Sequence, residues 1–167
     1  MRRLILVLLP LLSIFLQSTL FSFYSIKGVL PDVLLIFVVF FALLNRGPHV
    51  TAYGFLCGLL EDYYVGNMIG MNAIAKGFTA FVISHIQGQV FKENLIVGVL
   101  GVTIGTFLNT AAIIIINILL SKGIIFSLTF LIAIGVQFFY NIILSVPAYI
   151  IYFNSNQYGW LKLIRRH

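Results

Sequence analysis

From Gly123 to Leu161 the chain carries no Asp, Glu, Lys or Arg. The same holds from Asn94 to Ser121, from Leu4 to Ile26 and from Val33 to Asn45. Apolar runs longer than about 18 residues read as membrane spans. Only 8% of the 167 residues are charged, against the roughly 25% of a soluble domain. The chain therefore reads as an all-α integral membrane protein folded as one domain over residues 1–167. No segment between the apolar runs is long enough to fold alone.

Six spans are predicted, over residues 4–24, 31–44, 50–65, 71–87, 95–120 and 126–153. The second and third are short for a hydrocarbon core of about 30 Å. Asn45-Arg46-Gly47-Pro48 between them has the composition of a tight turn, with Pro48 suited to a helix's first turn. The start, Met1-Arg2-Arg3 followed by Leu4–Leu12, looks like a signal peptide. It lacks a clean small-x-small cleavage site and reads as an uncleaved first helix.

An even span count puts both termini on one side. With them inside, Arg2, Arg3, Arg46, Lys92, Lys162, Arg165 and Arg166 are cytoplasmic, and only Lys27 and Lys122 are outside. This is a positive-inside distribution. The net charge of +6 is then explained by lipid headgroups at the span ends. No recognition helix, zinc spacing or aromatic-interleaved basic patch points to nucleic acid. Nor is there a phosphate-binding glycine loop, a metal motif or a nucleophile elbow, so neither an enzyme nor a cofactor is expected. His49 and His85 are not at ligand spacing. Cys57, the only cysteine, reads as a small buried hydrophobe.

Polar residues recur at helical spacing: Ser13 and Gln17; Asn72, Lys76 and Thr79; Thr106, Asn109 and Thr110; Gln137, Asn141 and Ser145. They read as helix–helix contacts in preference to a substrate path. Gly54 and Gly58 form one small-residue face. Gly98, Gly101 and Gly105 form a second, which could pack helices of this chain and is the face expected to receive a partner's span.

Glu61, Asp62 and Lys76 need a specific account, because charge in hydrocarbon is costly. The third span runs outward and the fourth returns, so all three lie at similar depth near the outer end. A structural ion pair between Lys76 and Glu61 or Asp62 is expected, with a proton or ion relay or a partner-facing polar surface as alternatives. Glu61 shares the Gly54–Gly58 face.

Pro31-Asp32-Val33-Leu34-Leu35, Arg46-Gly47-Pro48, Gly54-Phe55-x-x-Gly58-Leu59-Leu60-x-Asp62 and Gly66-x-x-x-Gly70-x-Asn72-Ala73 together resemble the MreD family of rod shape-determining proteins. The resemblance implies a non-enzymatic scaffold of the bacterial elongation machinery, in the cytoplasmic (inner) membrane. Its partners would be an MreC-like bitopic protein, RodA, a class B penicillin-binding transpeptidase and the MreB filament. It carries Pro31, Asp32, Gly58, Asp62, Gly66, Gly70 and Asn72 as family positions, with Lys76 less firmly attached. It also implies the fold of the substrate-binding subunits of energy-coupling-factor transporters. A vitamin-type transporter subunit is the competing reading: it would use the outer polar groups as a pocket.

Overall fold

The computed structural model describes residues 2–23, 28–66, 68–86, 95–120 and 128–158. These form six helices: α1 (Arg2–Phe23), α2 (Val33–Leu44), α3 (Pro48–Val65), α4 (Met71–Ile86), α5 (Leu95–Leu119) and α6 (Leu128–Tyr158). The chain is an all-α six-helix bundle. Lys27, Lys92, Lys122 and the basic tail from Lys162 lie outside the described residues.

Two helices are long and apolar enough to cross a membrane by themselves: α5 over its whole length and α6 over Leu128–Ile151. The others are short, interrupted or charged. At about 1.5 Å per residue, the 12 residues of α2 reach only about 18 Å. They compensate by position. α2 is apolar on every side, as a helix with no solvent or lipid face must be, and nine of its residues are buried. Leu34, Leu35, Ile36, Val38 and Val39 are wholly enclosed. Around them pack Ile14 of α1, Val50 and Cys57 of α3, Ala80 and Ile83 of α4, and Val102 of α5. Tyr149 of α6 meets Phe40 edge-on, with ring centroids 5.8 Å apart. Between apolar helices in lipid, close packing and not water exclusion holds the parts together.

Close packing explains the glycines. A Cβ at Gly54 would lie 2.7 Å from both the Ala80 methyl and the Lys76 carbonyl oxygen, and one at Gly58 would strike the Asn72 carbonyl. The α3–α4 pair is thus backbone against backbone. The Gly98–Gly101–Gly105 face, expected from the sequence to receive a partner's span, is instead internal, because α2 and α6 fill it. A Cβ at Gly98 would meet the Tyr149 ring, at Gly101 the Leu43 side chain at 2.7 Å, and at Gly105 the Val39 side chain. All three are buried, so no partner span reaches them.

Candidate functional site

The polar groups of the sequence gather at the end of the bundle where α1 and α3 finish and α2 and α4 begin. Pro31-Asp32 precedes the apolar run of α2, the place where a helix needs its first amide groups satisfied. Asp32 does this: its Oδ1 accepts from the Leu35 N–H at 2.8 Å. The non-helical backbone just before it is also satisfied, as backbone inside a membrane bundle must be. The Pro31 carbonyl accepts from Gln17 Nε2 at 2.9 Å. The Asp32 N–H donates to Asn141 Oδ1 at 2.9 Å. Asn141 Nδ2 in turn donates to Thr106 Oγ1 at 3.1 Å.

The second oxygen of Asp32 accepts from Lys76 Nζ at 2.7 Å. Glu61 Oε2 lies 2.6 Å from the same nitrogen. Lys76 is fully buried and bridges α2, α3 and α4. Its partners are Glu61 and Asp32. The sequence offers Glu61 or Asp62 and does not single out Asp32. The missed signal is the aspartate immediately before an apolar helix, at the same depth as the third span's acids.

Asp62 has other work. Its Oδ1 accepts from the backbone and side-chain nitrogens of Asn72 at 3.0 and 2.9 Å. Its Oδ2 accepts from the N–H groups of Gly70 at 2.9 Å and Ala73 at 3.1 Å. A carboxylate from the end of α3 thus caps the start of α4, where the helix dipole favours negative charge. The turn that allows this needs two left-handed residues. Gly66 has φ 71° and closes α3 with an N–H bond to the Asp62 carbonyl, and Gly70 has φ 103°. Side chains other than glycine rarely adopt such angles.

Beside the ion cluster is a cavity of about 220 Å³. Asp32 and Glu61 line it together with Gln17, Asn72, Asn109 and Gln137. Ser13, Thr79 and Ser145 bond carbonyls of their own helices. His49 lies edge-on to Phe41, His85 bonds the Phe81 carbonyl, and the two are not joined. Cys57 is buried. Among the described residues, no group of three or more His, Cys, Asp or Glu is placed to hold a metal ion.

The family model for the rod shape-determining protein MreD matches residues 1–158. The chain belongs to the MreD family. Neither a curated protein nor a solved structure matches it. Membership in the MreD family makes the chain a membrane-associated, non-enzymatic component of the rod-shape machinery. It lends no support to a transporter subunit. It also gives the motif a physical meaning. Gly58, Asp62, Gly66, Gly70 and Asn72 build one capped turn, while Pro31 and Asp32 start the enclosed helix beside it.

Proposed function

We propose that this MreD-family chain is a six-span scaffold of the cytoplasmic (inner) membrane, with both termini in the cytoplasm, that holds an MreC-like bitopic protein during lateral peptidoglycan synthesis. RodA, a class B penicillin-binding transpeptidase and the MreB filament are the wider assembly. The match over residues 1–158 carries the reading. The bundle supports it physically. Its buried lysine is held by two carboxylates, its α3–α4 turn is capped by Asp62, and its small-residue faces are already used internally. Such a body is suited to present a fixed surface. The fold of the energy-coupling-factor substrate-binding subunits remains part of the proposal, supported by the six-helix count and by the cavity at the Asp32 end.

The test is co-purification. The tagged full chain is extracted from its host in mild detergent and its bound proteins are identified by mass spectrometry. Enrichment of a single-span coiled-coil protein is expected. Its absence, or recovery of a coupling ATPase instead, would overturn the reading.

A further inference from the structure

The cavity beside Lys76 has an unusual balance of groups. Among the described residues, two carboxylate residues, Asp32 and Glu61, line it, and no Lys or Arg does. Their shared counter-ion, Lys76, sits behind them with its side chain 0% exposed, while 14% of the Glu61 side chain is exposed and 7% of the Asp32 side chain. Among the described residues, two carboxylates and one ammonium leave a formal charge of −1 at the cavity wall. Asp62, with its oxygens committed to the α4 cap, adds no compensating positive charge.

A second observation is independent of the charges. Asn109, on α5, lines the same cavity, is 3% exposed, and its Oδ1 has no hydrogen-bond partner. A buried amide oxygen without a donor loses the hydrogen bonds that water would give it and is costly to leave so. Asn141, one turn of α6 beyond Gln137 in the chain, shows how this bundle ordinarily satisfies such a group, with both amide atoms bonded. Asn109 is held ready for a donor that the described residues do not supply.

We propose that this cavity binds a small primary-ammonium group, with the Glu61 carboxylate as its counter-charge and the Asn109 amide oxygen as a hydrogen-bond acceptor. An ammonium carries both what the site lacks: positive charge and N–H donors. A divalent metal would want more oxygen ligands of a harder kind, and the described residues offer no such cluster. A quaternary ammonium has no N–H to give Asn109, and it is ordinarily held by a cage of aromatic rings. Here Tyr64 is the one aromatic lining residue among the described residues. The volume also sets a limit. At about 220 Å³ the cavity is smaller than the roughly 300–1,000 Å³ of pockets for drug-sized ligands. It suits a short amine or the headgroup of an aminophospholipid. Tyr64 and Val65, both more than half or about half exposed, mark its open side at the end of α3. The site is independent of the scaffold reading, and its failure would leave that reading intact.

The full chain, purified in detergent, is heated with increasing ethylammonium chloride and, separately, with tetramethylammonium chloride at matched ionic strength. Ethylammonium should raise Tm saturably, by about 3–6 °C at ten times Kd, and tetramethylammonium should not. Asn109→Leu and Glu61→Gln should each weaken the response at least tenfold. Asn109→Leu removes the orphaned oxygen, so it should fold without loss of stability. In bilayers of equimolar phosphatidylethanolamine and phosphatidylcholine, native mass spectrometry reads the lipid source. Selective retention of one phosphatidylethanolamine, lost in Asn109→Leu, would support the same site filled by a headgroup. The proposal is overturned by an equal response to tetramethylammonium. It is also overturned by a response that survives both substitutions, or by no ethylammonium response together with equal retention of the two lipids.

Discussion

The Nζ of Lys76 lies 2.7 Å from Oδ2 of Asp32, a residue 44 positions earlier in the chain. Since Glu61 Oε2 is 2.6 Å away on the other side, one ammonium closes three helices onto one another. Removing one member of such a buried set leaves charge uncompensated, which costs more than the set itself contributes.

Lys76→Met should therefore destabilise the protein by about 3–5 kcal/mol, on the order of 10 °C in Tm. Adding Asp32→Asn and Glu61→Gln should recover most of this, because Asn still caps a helix well. Adding Asp62→Leu should lower stability further. Thermal unfolding in detergent checks all three. Recovery with Asp62→Leu would mean that the lysine pairs differently.

Asp62→Ala should leave the amides of Gly70, Asn72 and Ala73 without their acceptor. The loss of a cap alone costs about 0.5–2 kcal/mol, and bonds to a charged group run higher. A loss of at least about 2 kcal/mol is expected, with Asp62→Asn intermediate. Hydrogen exchange should accelerate first at Asn72 and Ala73. Unchanged protection there would show that the cap is dispensable.

Glycines separate by surroundings. Gly58→Ala forces a methyl onto the Asn72 carbonyl and should prevent α3 and α4 from closing. Gly135, within α6, has nothing within 4 Å of where a Cβ would stand. Gly135→Ala should stabilise by up to about 0.5–1 kcal/mol through helix propensity. Comparable losses at the two positions would contradict the packing described.

Orientation has its own test. In a Cys57→Ala background, Ile69→Cys sits in the exposed α3–α4 turn and Arg46→Cys in the exposed α2–α3 turn. An impermeant thiol reagent applied to intact cells should modify position 69 and leave position 46 until the membrane is opened. The reverse pattern would invert the topology.

Much of this architecture is legible in the residues. Uncharged runs locate α5 and α6 because span length is a property of composition alone. Gly47-Pro48 locates the α2–α3 turn, with Pro48 as the first residue of α3. The small-residue spacing marks the faces where backbones meet, although not which helix fills them: Gly101 meets Leu43 because α2 lies centrally, which no local pattern states. The charged cluster is half legible. Glu61 shares its face with Gly58 and points inward for that reason. Asp62, next to it, turns about 100° further and meets the following helix's amides. Asp32 and Asn141 are joined across 109 residues, a distance that sequence periodicity does not bridge.

That last bond bears on how the chain is made. Insertion proceeds from the N-terminus, yet the Asp32 amide is satisfied by a residue synthesised 109 positions later. Until α6 arrives, the second helix carries an unanswered N–H and an unfinished wall into lipid. It is too short to be stable there alone. The early part of the nascent chain is thus committed to a waiting state, a natural client for an insertase or a membrane chaperone. Quality control that samples this protein before its last helix is released would encounter it unfinished. Chains arrested before position 141 should be degraded even though five of their six helices are complete.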